Sequence, residues 1–295
     1  MTAVGTTARG ATAARRRGPR GRQPIGPLEY SRRLWLQVSV VVALVFLYAP
    51  IVTLMAFSFN DSRRNITWQG FTLKYYEKAL NNDGLIEAFV NSLTIAFVST
   101  IVSVMLGALV AILLWRFRFP FKAPYEGAMA LPIVIPEICM GIAMLVFFAR
   151  LGWPSNLPYP FNLGNIIIAH ISFSFPFAAM VIRARLVNFN RELEEAAKDL
   201  GASEWRTFWD ILIPFMRPGL VAGGLLAFTL SLDDFVITFF TSGPDTVTFP
   251  IKVYSMVRFS VTPEVNAASS VLIVITIALT VTAMWLQNRS GKRAN

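Results

Sequence analysis

Residues 191–214 read RELEEAAKDLGASEWRTFWDILIP and stand between two strongly apolar segments. Glu and Ala favour a helix over residues 192–200, and acidic side chains in its first turn suit the positive end of the helix dipole. The apolar and small residues of this helix recur at helical spacing and share one face, namely Leu193, Ala196, Ala197 and Leu200. Small side chains on such a face allow another surface to approach closely.

A second helix is expected to follow a tight turn. Gly201 predicts a helix stop with positive φ, and Ser203 can cap a helix over residues 204–213. The large side chains of this second helix also share one side, namely Trp205, Phe208, Trp209 and Leu212. Pro214 and Pro218 are predicted to bracket the start of the next apolar span. The resulting helix–turn–helix is either an amphipathic connector resting on a bilayer or a docking element, and turn chemistry alone does not decide between them.

The composition is that of a membrane protein. Of the 295 residues, 55% are hydrophobic and 15% are charged, and the mean hydropathy is +0.54. Soluble domains carry about 25% charged residues. The sequence therefore predicts an all-α polytopic membrane protein. The single cysteine, Cys139, can form no internal disulfide and leaves the redox compartment open.

Six apolar segments are long enough to cross a bilayer, for which a helix needs about 20 residues. They are Leu34–Phe57, Ala88–Trp115, Gly127–Ala149, Asn165–Leu186, Pro218–Phe240 and Ala267–Leu286. The fourth contains the polar run AHISFSF and is expected to pack among other helices. A short amphipathic pattern over Leu73–Leu80 predicts an interfacial helix before the second span.

The distribution of basic residues predicts the orientation. With six spans, 20 of the 27 Lys and Arg residues fall on the side of both termini. The positive-inside rule then places the termini and residues 191–214 in the cytoplasm, and it explains the net charge of +10 without nucleic acid. We expect a disordered basic tail over residues 1–30, a six-span domain over 31–290 and a C-terminal tail over 291–295. The basic start is separated from a long first apolar run, which argues against a cleavable signal peptide.

The motifs of several enzyme classes are missing from the sequence. No GxxxxGK[ST] phosphate loop occurs, so ATP hydrolysis by a P-loop mechanism is not expected from this chain. Neither GxSxG nor another nucleophile–base arrangement is present. The one histidine, His170, has no Cys or His neighbour and is expected to be buried and hydrogen-bonded to another helix. We therefore expect no catalytic residue, metal or bound cofactor.

Three carboxylates fall inside predicted spans, where burial is costly and usually functional. They are Glu137 in the third span and Asp233 with Asp234 near the outer part of the fifth. Either they line a path for a cationic substrate, or the aspartates form a cap or salt bridge at a helix end. Nearby aromatic residues offer cation–π contacts or plain helix packing, with packing favoured, namely Phe173, Phe175 and Phe177.

Glycine and proline residues mark close contacts and kinks. Gly219 and Gly223 form a GxxxG pattern that permits close helix packing, within the subunit or with a partner. Pro132 and Pro136 leave carbonyl groups unpaired in the third span, which gives either a hinge or a static distortion.

The segment EAAKDLGASEWRTFWDILIP resembles the EAA signature of ABC importer permeases. The matching positions are Glu195, Ala196, Ala197, Gly201, Ile211, Ile213 and Pro214, with Ile213 where the usual pattern has Leu. The resemblance implies a type I importer fold and a coupling helix that docks on an ATPase subunit. Glu194 and Glu195 would then belong to the ATPase contact, Ala196 and Ala197 would allow close approach, and Gly201 would make the turn.

Several further stretches are similar to the polyamine (spermidine/putrescine) importer permeases, most of all to the second permease subunit. They are FLYAPIVTLMAFSFNDSR, ITWQGFTLKYY, NNDGL, LSLDDFVITFFTSGP and YSMVRFSVTPEVNA. The resemblance implies polyamine import by alternating access across a bacterial inner membrane. It also implies a second permease subunit, two ATPase copies that bind ATP and Mg, and an external substrate-binding protein.

Other functions stay open on the sequence. Within the class, the solute is alternatively an opine, an amino-acid derivative or ferric iron. An ATP-independent channel or secondary transporter is a rival from another class, but it would usually show inverted repeats, which we do not find. A membrane-bound enzyme would need a site that the sequence lacks.

Overall fold

The computed structural model describes residues 34–62, 67–152, 157–259 and 262–292. These residues are mainly helical and contain no β-strand, as the all-α prediction requires. By its internal contacts the chain divides into a unit ending at Thr53 and a unit starting at Leu54, and each is described by itself. The predicted tail over residues 1–30 lies outside the described residues.

Helix α1 (Leu34–Phe57) has the bounds that the sequence predicts. Its polar side chains bond within the helix. Ser39 Oγ donates to the Trp35 carbonyl at 2.8 Å, and Thr53 Oγ1 donates to the Ala49 carbonyl at 2.7 Å. Such bonds satisfy the Ser39 and Thr53 hydroxyls in an apolar surrounding. Helix α1 is therefore long and apolar enough to cross a membrane.

Three long helices form the centre of the second unit: α3 (Asp83–Arg116), α6 (Gly164–Leu186) and α9 (Ile213–Leu232). A cluster of buried side chains joins one end of these helices, consisting of Ala111, Ile182, Leu186, Phe189, Leu212 and Met216. Helices α3 and α6 include the predicted second and fourth spans. The fourth span packs among other helices, as its polar run suggested.

Glycines bring the backbones of these three helices together at one point. A Cβ added to Gly107 of α3 would lie 2.9 Å from the backbone nitrogen of Ala179. One added to Gly223 of α9 would lie 3.2 Å from the Ala178 carbonyl oxygen. Gly219 likewise faces Arg185 at 3.0 Å. The GxxxG pattern therefore packs within this subunit, which settles the alternative that the sequence left open.

The predicted third span is not one helix. It consists of α4 (Lys122–Val134) and α5 (Glu137–Leu151), which meet at an angle of 104°. Pro136 lacks a backbone donor, and it forces the preceding Ile135 into an extended conformation with ψ of 132°. The kink that the prolines predict in the third span, Gly127–Ala149, is thus a full break at Ile135 and Pro136.

The helix at the predicted fifth span, Pro218–Phe240, begins and ends earlier in the sequence than predicted. A short helix α8 (Glu204–Thr207) leads through a π-helical turn at Phe208–Leu212 into α9, which ends at Leu232. A new helix, α10 (Val236–Thr241), begins after three non-helical residues. The prediction that Pro214 and Pro218 bracket the start of the span is wrong, because the helix runs through both. Pro214 lies at the start of α9, where a proline is well tolerated.

Three further helices complete the second unit: α2 (Lys74–Leu80), α11 (Phe249–Phe259) and α12 (Pro263–Lys292). Helix α2 confirms the short helix predicted before the second span. Glu264 of α12 accepts a hydrogen bond from Asn82 at 2.8 Å and pairs with Lys78 at 3.0 Å. Asn82 also caps α3 by accepting a hydrogen bond from the Leu85 amide. Helix α12 reaches Lys292, so it extends into the predicted C-terminal tail.

We expect Gly107→Ala to destabilise the subunit by about 1–3 kcal/mol, because overpacking a helix contact costs this much. The added methyl would meet backbone rather than a flexible side chain. Gly127→Ala is the matched control, because an added Cβ there meets nothing within 4 Å. Thermal unfolding of the detergent-solubilised subunit measures both. Equal melting temperatures for the two variants would contradict the close contact.

Candidate functional site

Residues 191–214 form the predicted helix–turn–helix, which we call the docking segment. Its first helix, α7, spans Glu192–Asp199. Gly201 follows in a left-handed conformation with φ of +84°, as its position predicted. Ser203 Oγ accepts a hydrogen bond from the Arg206 amide at 3.3 Å and so caps α8.

Most of the predicted apolar face is uncovered in this chain, but Leu212 is buried in the helix core and Phe208 packs against that core. Leu200 is 89% exposed and Trp205 is 70% exposed. Leu193 and Trp209 are also exposed. Large apolar side chains concentrated in this way usually mark an interaction surface.

The signature residues lie at different depths in this segment. Glu195, Ala196 and Gly201 are exposed, whereas Ala197 is half-buried. Towards the span, Ile211, Ile213 and Pro214 are half-buried as well. A groove that includes Ala197, Gly201 and Ile211 runs along the turn between the two helices.

Glu194 does not share the exposed face. It is buried, and both of its carboxylate oxygens accept hydrogen bonds from Arg116 Nη1, at 3.0 and 3.1 Å. Arg116 is the last residue of α3, and its Nη2 also lies 3.5 Å from a carboxylate oxygen of Glu204. Glu194 therefore anchors α7 to the long helix α3, a role that the sequence pattern did not reveal.

Two further contacts hold the docking segment. The Arg191 guanidinium lies 4.8 Å from the centre of the Trp115 ring and donates to the Trp115 carbonyl at 3.3 Å. Lys198 donates a hydrogen bond to the Glu204 carboxylate. Glu204 is the first residue of α8 and comes before the apolar residues of the helix that continues into α9. These contacts connect α7 both to α3 and to α8.

The three carboxylates of the predicted path lie beside the two helix breaks. Glu137 is the first residue of α5, and Asp233 is the residue after α9. Both are exposed, and they are close enough for their charges to repel. The helices that follow the two breaks pack together, because an added Cβ at Gly141 of α5 would lie 2.6 Å from the Phe240 ring of α10.

Asp234 is turned inward, unlike its neighbour. Its side chain is 4% exposed. It accepts hydrogen bonds from the Thr238 amide and the Thr238 hydroxyl, both at 2.8 Å, and from the Ile237 amide at 3.3 Å. Asp234 thus satisfies the first amides of α10 from the position before the N-cap residue, Phe235, and this is the helix-end role that the sequence left open for the aspartates.

His170 is buried and contacts other helices, as predicted. Its Nδ1 lies 2.7 Å from Ser231 Oγ, and its Nε2 lies 2.9 Å from Thr238 Oγ1 and 3.3 Å from Asp234 Oδ2. No group of three or more metal-ligating side chains occurs in the part of the chain that the structure describes. The sequence did not predict the Asp234–His170 pair, because nothing local links residues so far apart.

The aromatic residues of α6 are packing residues. Phe173 and Phe177 are 5.3 Å apart and belong to a cluster with Phe148 and Ile237. Phe175 is half-buried. The packing role favoured by the sequence accounts for the Phe173–Phe177 pair.

The fold and these sites define the class of protein. Five helices in the described residues are long and apolar enough to cross a membrane, and there are six if the bent pair α4–α5 counts as one span. Together with the exposed docking segment, they identify a membrane-embedded permease. Residues 103–295 match the family described as "Binding-protein-dependent transport system inner membrane component". The chain belongs to this family, and it is a multi-pass inner-membrane transport subunit.

Curated relatives cover most of the chain. The spermidine/putrescine transport system permease protein PotC of Escherichia coli (strain K12) is 40% identical over 84% of this chain and 91% of its own. The putrescine transport system permease protein PotI of the same strain is 36% identical over 89% of this chain and 94% of its own length. The molybdenum transport system permease protein ModB of that strain is 32% identical over 70% of this chain and 96% of its own length.

Solved structures share the fold. A bacterial ABC transporter involved in the import of the acidic polysaccharide alginate aligns with a TM-score of 0.68 at 17% identity. The alignment covers 89% of this chain and 95% of that one. The MetNI methionine ABC transporter aligns with a TM-score of 0.58 at 17% identity, and the alignment covers 70% of this chain and 95% of that one. The importer permease fold predicted from the docking segment is thus confirmed.

We expect Arg116→Ala to release helix α7, because it leaves the buried Glu194 carboxylate without its partner. Tryptic cleavage after Arg191 and Lys198 should then accelerate about tenfold, which corresponds to about 1.4 kcal/mol of lost local stability. Arg118→Ala is the matched control, since Arg118 is exposed and makes no ion pair among the described residues. Unchanged cleavage in Arg116→Ala would show that the ion pair does not hold α7.

Proposed function

We propose that this chain is the membrane-spanning subunit of an ATP-driven importer for polyamines such as spermidine and putrescine. The observation that carries the substrate class is the exposed carboxylate pair, Glu137 and Asp233, at two helix breaks whose following helices pack together. Relatives that are named as spermidine/putrescine and putrescine permeases support the same substrate class.

The chemistry of the substrate fits this pair. Alkylammonium groups resemble lysine in pKa, so a polyamine carries two or more positive charges at neutral pH. Two carboxylates that repel each other gain when a cation comes between them, because it replaces repulsion by attraction. Helix breaks add backbone carbonyls at membrane depth, which is tolerated where they line a polar path. An anionic solute would meet repulsion at the same place.

ATP hydrolysis is assigned to a separate subunit. The sequence holds no phosphate loop, so the energy has to arrive through a contact. The exposed face of the docking segment, including Glu195, Leu200 and Trp205, supplies a surface for an ATPase subunit. Glu194 supports that contact from behind through its ion pair with Arg116.

The complete importer has further parts in this proposal. It contains a second permease subunit, two ATPase copies that bind ATP and Mg, and an external substrate-binding protein. Both termini and the docking segment lie in the cytoplasm, because most Lys and Arg residues fall on that side. Movement of the ATPase subunits pulls on α7, and Arg116 transmits the displacement to α3. The packed helices α3, α6 and α9 then rock as one body in alternating access.

We expect the amide variants Asp233→Asn and Glu137→Gln each to lower polyamine uptake about tenfold, because each loses an attraction of about 1.4 kcal/mol for an ammonium group. The assay is uptake into proteoliposomes that contain the assembled transporter and saturating loaded binding protein, with ATP hydrolysis measured in parallel. Polyamine moved per ATP hydrolysed is the decisive ratio.

Two controls accompany these path variants. Glu77→Gln changes an exposed carboxylate on α2 and should transport normally. Asp234→Ala should instead reduce the amount of folded subunit, because Asp234 caps α10 from a buried position. Normal transport per ATP in both path variants would refute the substrate site.

We expect Leu200→Glu and Gly201→Val to lose the ATPase subunit on purification. The first places a charge on the apolar docking face. The second forces a β-branched residue into a left-handed conformation, which costs about 1–2 kcal/mol or more. Leu80→Glu is the matched control, because Leu80 is comparably exposed but lies on α2. Co-purification of the ATPase with both docking variants at the wild-type ratio would argue for a transporter that works without it.

A further inference from the structure

A single buried ring connects both sides of the break between α9 and α10. His170 of α6 is 2% exposed. Its Nδ1 meets Ser231 in the last turn of α9, and its Nε2 meets Thr238 in the first turn of α10. Nε2 also lies 3.3 Å from Asp234, within the break. The proposed role of Glu137 and Asp233 in transport assigns no function to the His170 ring.

The hydrogen bonds determine which ring nitrogen carries a proton. Thr238 has one hydroxyl proton, and the carboxylate of Asp234 accepts it at 2.8 Å. The Thr238 oxygen can therefore only accept from His170 Nε2 at 2.9 Å. Nε2 must carry a proton, so the ring donates towards the break.

The network extends to a fourth helix. Ser231 Oγ lies 3.0 Å from Ser99 Oγ of α3, and both serines are buried. Buried hydroxyl and carboxylate groups are costly when unpaired, so each member of this chain constrains its neighbour. The His170 ring thus ties the ends of α9 and α10 to α6 and, through Ser231, to α3.

The break places two adjacent carboxylates in different surroundings. Asp234 is fully engaged by His170, Thr238 and the α10 amides. Asp233 follows the last turn of α9, donates its amide to the Thr229 carbonyl at 3.2 Å, and leaves its side chain exposed beside Glu137. The direction of Asp233 depends on where α9 stops, and the contacts of His170 fix that point.

We propose that His170 is a positioning residue for transport, which acts by holding the helix break so that Asp233 faces the substrate. This inference rests on the proposed function, because it takes Asp233 as the carboxylate that meets the polyamine. His170 itself does not contact the substrate, since the ring is buried and its nitrogens are occupied by Ser231, Thr238 and Asp234. Loss of its donor lets the break rearrange and turns Asp233 away.

The test compares two amide substitutions that each preserve one half of the ring's bonding. In His170→Gln, the amide nitrogen reaches the position of Nε2 and can still donate to Thr238 and Asp234. In His170→Asn, the shorter amide reaches the position of Nδ1 and can bond only Ser231. Ser172→Ala is the matched control on the same helix, because Ser172 Oγ donates only to its own helix, at the Ile168 carbonyl.

The measured quantity is polyamine moved per ATP hydrolysed by the assembled transporter in proteoliposomes with loaded binding protein. We expect His170→Gln and Ser172→Ala to stay within about twofold of wild type, and His170→Asn to fall about tenfold, as for loss of one buried charged hydrogen bond. A purely structural role would reduce uptake and ATP hydrolysis in proportion and leave the ratio unchanged. An unchanged ratio in His170→Asn, or an equal fall in His170→Gln, overturns the proposal.

The double variant His170→Asn/Asp233→Asn separates this inference from the function on which it rests. If His170 acts through Asp233, the double variant should be no worse than Asp233→Asn alone, because the two changes remove the same interaction. If the falls in polyamine moved per ATP caused by the two single variants multiply in the double variant, the positioning role is overturned and the substrate site is not affected. Normal transport by the single variant Asp233→Asn would overturn the positioning role, and normal transport by Glu137→Gln as well would refute the substrate site.

Discussion

The close contact of three helix backbones at Ala178 and Ala179 is the constraint on which the second unit depends. Gly107 approaches from α3 and Gly223 from α9, at distances that allow no larger side chain without movement. Packing at this range gains dispersion energy over a continuous surface, and it needs no hydrophobic driving force, which apolar surroundings would not supply. The three helices therefore behave as one body that carries sites at both ends.

Helix α3 connects these sites from its C-terminal end and from its middle. At its C-terminal end, Arg116 holds Glu194 and so fixes the first helix of the docking segment. Further towards its N-terminus, Ser99 joins the hydrogen-bond chain through Ser231 to His170. A rigid helix with a polar contact at each site is the kind of element that carries displacement over a distance, because its own hydrogen bonds resist bending. The docking segment and the buried hydrogen-bond network at the break between α9 and α10 thus share one helix.

Hydropathy and spacing predicted most of the helices, because apolar length and the 3.6-residue period act locally. Helix α1 has the predicted bounds. The turn at Gly201 was predictable because glycine adopts a positive φ without strain. The bend at Pro136 was not predictable as a full break, because proline kinks some helices and ends others, and the neighbours decide which. The split between Asp233 and Asp234 was equally hidden. Asp234 contacts His170, which is distant in sequence and is brought near by the packing of α6 against α9.

The bare docking face has a consequence for how the protein is made. Leu200 and Trp205 expose most of their apolar surface in the isolated chain. Such a surface is an aggregation liability until it is covered. A newly inserted permease subunit without a partner is therefore exposed to aggregation and to quality-control proteases. This favours coordinated synthesis of the subunits, with the amount of assembled transporter limited by the scarcer one.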